Sequence, residues 1–162
     1  DYDNDGHLDI FVPNYGHNQL YRNNGNGPFT DVAKAVGLAV ENHAVGSDWG
    51  DYDNDGDLDL SVISYVGAPG AQTPLNALFR SDGAKAFVNV LTKDSPLNKA
   101  DHASQFVDFD NDGGIDLSIT DGYGPVGGHF VFRNTLADAD KLKNRLETAR
   151  FRMRFKSFAE VV

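Results

Sequence analysis

Apolar residues alternate with polar ones in three short runs: Leu8, Ile10 and Val12; Leu58, Leu60 and Val62; Ile115, Leu117 and Ile119. A period of two predicts a strand with one buried face in each run. The three runs share what comes before them. Residues 1–9, 51–59 and 108–116 all read Asp, Tyr or Phe, Asp, Asn, Asp, Gly, any residue, Leu or Ile, Asp. A second strand is predicted after each run, at Asn18–Asn23, Asn76–Ser81 and His129–Asn134, and in each an aromatic residue and an arginine precede the last position. In the first copy the turn signal Asn24-Gly25-Asn26-Gly27-Pro28 leads to a third strand, Phe29–Val32; in the second, Asp82-Gly83 leads to Phe87–Leu91. Ala44–Trp49 and Ala103–Val107 are incoming strands before the second and third acidic turns. A unit is therefore four short strands, with the acidic turn between the first two. Repeated four-stranded units of about 50 residues predict an all-β fold, a partial β-propeller of about three blades.

The acidic turn carries the chemistry. Carboxylates at positions 1, 3, 5 and 9 with a glycine at 6 match what Ca²⁺ requires, six to eight oxygens at roughly 2.3 to 2.6 Å from a tightly wound loop. The glycine permits the sharp turn. An EF-hand begins the same way but needs a glutamate at position 12 and flanking helices. Position 12 here is Val12, Val62 or Ile119, on a strand, which excludes the EF-hand. The expected ligands of up to three Ca²⁺ are the side chains of Asp1, Asp3, Asp5 and Asp9, of Asp51, Asp53, Asp55 and Asp59, and of Asp108, Asp110, Asp112 and Asp116. The carbonyls of His7, Asp57 and Gly114 complete each set.

Charge supports this reading. The net charge is −10, and residues 141–162 alone contribute +5, so the acid is concentrated in the repeats. Three Ca²⁺ would bring the total to about −4; without them, four carboxylates crowd each turn. Acidity without basic patches in the repeats argues against nucleic acid as a partner. No apolar run approaches the roughly 20 residues of a membrane span. Cysteine is absent, so no disulfide framework exists. Use of calcium points outside the cytosol, to an extracellular or periplasmic setting.

Other signals have blander readings. Gly122, Gly124 and Gly127 fit the spacing of a dinucleotide-binding turn, but Pro125 and Gly128 lead into a strand and not into the helix that such a turn must open. The histidines at 7, 17, 43, 102 and 129 are scattered, no Gly-x-Ser-x-Gly exists, and the paired carboxylates are committed to metal. No catalytic residue is therefore assigned, and the chain is expected not to be an enzyme. Arg22, Arg80 and Arg133 recur at equivalent places and are read as structural, pairing with acidic groups of a neighbouring strand; Trp49 is assigned to the core. Ala33–Val40 is expected to contain a helical turn between blades, and the loop Ser64–Pro74 is an insertion absent from the first copy. Residues 136–148 are expected to form a short helix. Phe151, Met153 and Phe155 alternate with basic residues, as in an edge strand protected by charge. The chain thus divides into blades at 1–134 and an unassigned helix and strand at 135–162. It starts inside the first motif, which suggests a piece of a longer protein.

The acidic motif followed by the Leu-Tyr-Arg-Asn strand resembles the FG-GAP or VCBS repeat over roughly residues 1–134. It is closest in style to repeats of proteins related to cartilage acidic protein. The resemblance implies a calcium-bearing propeller like that of the integrin α-subunit head, extracellular, with a scaffolding, adhesive or ligand-binding role. The implied partners are a protein or glycan ligand and further blades from the same or another chain. A second reading is a non-catalytic-looking fragment of a secreted polysaccharide-active enzyme built on such a propeller.

Overall fold

The computed structural model describes residues 1–65, 76–83, 85–92, 94–97, 101–120, 129–135 and 153–154. The elements run in order β1 (Ile10–Val12), β2 (Tyr15–His17), β3 (Gln19–Asn23), β4 (Phe29–Asp31), α1 (Ala33–Val36), β5 (Glu41–Gly50) and β6 (Asp59–Ser64). They continue with β7 (Ala77–Ser81), β8 (Phe87–Asn89), β9 (Ala103–Val107), β10 (Asp116–Thr120), β11 (His129–Phe132) and β12 (Met153–Arg154). The described fold is nearly all β, as the alternation of apolar residues predicts, and its sheets are the blades of a partial propeller.

The second unit is the predicted blade. Strands β5, β6, β7 and β8 pair antiparallel in sequence order, and the acidic turn 51–59 joins the first two. The third unit repeats it with β9, β10, β11 and β12, the turn 108–116 again lying between first and second strands. Of the strand expected around residues 151–156, Met153 and Arg154 are described, and they supply the fourth strand by pairing Val131 with Met153 and Phe130 with Arg154. The first unit has three strands, β1, β3 and β4, with no strand before its acidic turn. One strand was not foreseen. β2 pairs with the edge of β5 opposite β6, with the register Tyr15 to His43 and His17 to Glu41. The expected helix at 136–148, most of the 64–74 loop and the glycine-rich turn at 122–127 lie outside the described residues.

The blades pack face to face through two apolar seams. Leu60 and Val62 of β6 join Leu20, Leu38, Phe79 and Phe87 in the larger cluster, between the first and second sheets. Trp49 sits at this seam, half-buried, with its ring edge-on to Phe11 at 6.1 Å and Phe87 at 5.9 Å. Ile63, on the other face of β6, packs with Leu117 and Ile119 in a second cluster between the second and third sheets. Strand β6 is consequently buried on both faces, which corrects the expectation of one buried face. The first strand departs in the opposite direction. Leu8 is 78% and Ile10 50% exposed, because positions 8, 10 and 12 of a unit face the preceding blade and no described strand covers that side of β1.

At the second seam the incoming strands run in close contact. The Asp48 carboxylate accepts the Phe106 N–H at 2.6 Å, and the Ser61 and Ser104 hydroxyls meet at 2.9 Å. Gly50 lies so near the Phe106 ring that a Cβ there would come within 2.8 Å of it.

Candidate metal centre

Three acidic turns fold alike, down to individual hydrogen bonds. The aspartate at position 1 accepts the N–H groups of positions 5 and 6: Asp1 from Asp5 and Gly6, Asp51 from Asp55 and Gly56, Asp108 from Asp112 and Gly113, all at 2.9 to 3.1 Å. The aspartate at position 5 accepts the N–H of position 7, from His7, Asp57 and Gly114 respectively, at 2.9 Å. Two residues per turn take left-handed backbone angles. Gly6, Gly56 and Gly113 have φ near 90°, as their lack of a Cβ permits, and Asn4, Asn54 and Asn111 have φ of 56° to 58°. Asparagine is among the few other residues that visit this region, since its short amide can bond locally. The invariance of Asn at position 4 was the signal for this second left-handed residue, and the composition of the motif alone did not reveal it.

The aspartate at position 9 ties the turn to the blade. Its carboxylate accepts one N–H from position 2 and one from the residue after the recurrent arginine: Tyr2 and Asn23 for Asp9, Tyr52 and Ser81 for Asp59, Phe109 and Asn134 for Asp116. The residue that ends the second strand is therefore part of the site, which the spacing of the acidic motif does not show. Two of the arginines also reach the turn. Arg22 pairs with Asp3 and Asp5 at 2.8 and 3.1 Å, and Arg133 with Asp110 and Asp112 at 2.6 and 2.8 Å. Their partners are acidic groups, as expected, and these lie on the turn that leads into the neighbouring strand of the same repeat. Arg80 makes no ion pair among the described residues.

Each turn gathers carboxylate oxygens that could hold a metal ion. One oxygen from each of Asp1, Asp3 and Asp5, of Asp51, Asp53 and Asp59, and of Asp108, Asp110 and Asp116 lies within 4.8 Å of the others in its group. The remaining expected side-chain ligands, Asp9, Asp55 and Asp112, belong to the same turns but fall outside these groups. The residues at position 7 contribute backbone; the Asp57 side chain turns aside to accept Asn4 Nδ2 at 3.1 Å, linking the first two turns. Asp3 Oδ1 and Asp53 Oδ1 are buried and have no hydrogen-bond partner. A buried carboxylate oxygen without a donor is costly, and a cation supplies what it lacks.

Electrostatics point the same way. Burial pushes the Asp59 carboxyl up to about 7, against the lowering effect of its two backbone donors, and Asp53 and Asp55 raise it further. Asp53 and Asp116 are also raised, each chiefly by burial. Asp5 and Asp112 are lowered, first by the N–H of position 7 and then by the arginine beside them. Burial thus disfavours the anionic form of Asp53 and Asp59 in the second turn and of Asp116 in the third, and a positive charge beside them would relieve it.

Three sheets, with acidic turns leading into β1, β6 and β10, define a β-propeller-like repeat domain. Residues 1–62 match the model of a known family, the FG-GAP-like repeat, which supports a repeat of FG-GAP or VCBS type there. No curated protein matches the chain. Among the described residues, no helix is long and apolar enough to cross a membrane.

Proposed function

We propose that the chain is a calcium-binding, extracellular β-propeller segment that acts as a scaffold for recognition or adhesion and is not itself catalytic. The observation that carries the calcium reading is the buried, unpartnered oxygen on Asp3 and again on Asp53, each inside a cluster of carboxylates. An all-oxygen donor set on a flexible turn suits a hard cation, and the several carboxylates favour Ca²⁺ over the smaller Mg²⁺, which retains more of its water. Asp1, Asp3, Asp5 and Asp9 and their counterparts at 51–59 and 108–116 would hold the ion, helped by the carbonyls of His7, Asp57 and Gly114. The ion's role is structural: it neutralises the turn that joins the first two strands of each blade.

The recognition role is supported by the family likeness and by the commitment of the paired carboxylates to backbone N–H groups and arginine. A protein or glycan is the proposed ligand, with further blades of the same or another chain as neighbours. Isothermal titration with CaCl₂ tests the first part. Saturable binding of up to three ions is expected, with Mg²⁺ much weaker; an absence of heat and of any thermal shift on adding Ca²⁺ would remove the proposal.

A further inference from the structure

Blades 1 and 2 share a hydrogen-bond motif at the ends of their strands remote from the acidic turns, and they differ in the acceptors open to its amide. In blade 2, Asn76 Oδ1 accepts the Ser64 N–H at 3.0 Å, and Ser64 O accepts the Asp101 N–H at 3.3 Å. In blade 1, Asn18 Oδ1 accepts the Asn14 N–H at 3.0 Å, and Asn14 O accepts the Ala44 N–H at 3.1 Å. Asn18 thus corresponds to Asn76, and Ala44 to Asp101. The Asn76 amide gives its protons to Leu97 O at 2.7 Å and to Asp101 Oδ2 at 2.5 Å. Ala44 has no such oxygen. The Asn18 Nδ2, on a side chain that is 1% exposed, is left buried with no partner.

Asn18 lines a groove of about 580 Å³, within the size range of small-ligand sites. Its walls include Asn14, Tyr15, His17, Gln19, Asp31 and Lys34. The wall is preorganised: Asn14 Nδ2 donates to His17 O and to Gln19 Oε1, each at 3.1 Å, and His17 Nδ1 lies 3.2 Å from Ala39 O. Tyr15 is 83% exposed, and its ring stands edge-on to His43 at 4.6 Å, which in turn stands edge-on to Tyr65 at 5.5 Å. The aromatic body is held from behind while most of its surface stays open.

We infer that this groove binds a neutral saccharide. Amides and an imidazole both donate and accept, which suits a ligand covered in hydroxyls, and an open aromatic ring suits the apolar C–H face of a sugar. One lysine and one aspartate leave the groove without net charge, so a phosphate or sulfate ligand lacks a cationic clamp. The inference deepens the recognition role proposed above and rests on it.

Affinity electrophoresis of the 162-residue chain in calcium tests it, in gels cast with β-1,3-glucan, xyloglucan, galactomannan or glycogen, with hyaluronan as the acidic comparison. Retardation is expected in at least one neutral gel and not in hyaluronan. Tyr15→Ala, at an exposed site, should weaken it roughly tenfold, and Ala44→Asp, which offers Asn18 the acceptor found in blade 2, should weaken it as well. Calcium titration of both variants checks that the blades remain formed. Retardation that is unchanged in Tyr15→Ala, or seen only in hyaluronan, overturns the inference. A chain that binds calcium yet runs freely in every neutral gel overturns the groove's assignment alone; one that binds neither overturns the calcium reading too.

Discussion

Position 9 and position 5 of the acidic turn are both aspartate, yet they do different work. Asp59 is fully buried and accepts the N–H groups of Tyr52 and Ser81, whereas Asp55 is exposed and accepts that of Asp57. Replacing Asp59 by alanine strands two N–H groups, at a cost of about 2 to 4 kcal/mol whether or not metal is present. Asp55→Ala removes a charge from a crowded turn and leaves one N–H at the surface, where water can take it. Thermal melts in EGTA should therefore show a large loss for Asp59→Ala and little change for Asp55→Ala, while calcium titrations show weakened binding in both. Equal losses in EGTA would mean that the two carboxylates are not divided in this way. Asn54 gives a second contrast: Asn54→Gly should be tolerated, and Asn54→Val should cost about 1 kcal/mol or more, since a β-branched residue fits poorly at a φ of 57°. The carboxylate pattern was legible because spacing alone brings alternate side chains to one centre. The hydrogen bonds from Asn23, Ser81 and Asn134 were not, because they join residues 14 to 22 positions apart across a strand pair.

Period-two alternation placed β1, β6 and β10, and the recurrence of strands around them placed β7 and β9. The number of buried faces was not legible in this way. Alternation reports contrast along one strand, and β6 lies between two sheets, so its polar Ser61 and Ser64 are buried too, with Ser61 bonded across the seam to Ser104. The same limit hid β2, a three-residue strand whose existence depends on the open edge of β5. At the second seam Gly50 takes the place where Phe106 comes closest, and Gly50→Ala should force that ring aside, at about 1 to 3 kcal/mol. Guanidinium melts read this directly, and a stability equal to that of the parent would show that the strands separate more easily than the contact implies. Arg22 and Arg133 act within one element pair, from the end of the second strand back to the turn. Arg22 offsets the charge of Asp3 and Asp5 when no cation does, so Arg22→Ala should widen the gap in Tm between calcium and EGTA; a narrower gap would assign the arginine to metal binding itself.

Across the whole molecule each turn also seals a boundary between blades. The Tyr2 ring lies 6.2 Å from Phe87 of the second blade, Asn4 reaches Asp57, and Tyr52 O accepts Asn134 Nδ2 of the third at 2.5 Å. Both tyrosines are 5% exposed as a result, while their counterpart Phe109, with no described blade beyond it, is 39% exposed beside Val107. The opposite flank carries Leu8 and Ile10, on the face that in the second and third blades packs against the sheet before it. One flank is thus shaped to be followed by a blade and the other to be preceded by one. Two copies of the chain can satisfy both by stacking head to tail, a heterologous contact that repeats without closing unless the rotation suits a ring. The three described blades are also fewer than the roughly four to eight of a closed propeller, and no described strand covers either flank. The 162-residue chain should therefore be non-monomeric or poorly soluble in light scattering, with mass rising with concentration. Phe109→Ser and Ile10→Ser alter exposed side chains on opposite flanks, and either one should lower the association while leaving calcium binding intact. A clean monomer with a cooperative melt in the unaltered chain would mean that the flanks do not attract each other, and that the three sheets are stable as an open arc.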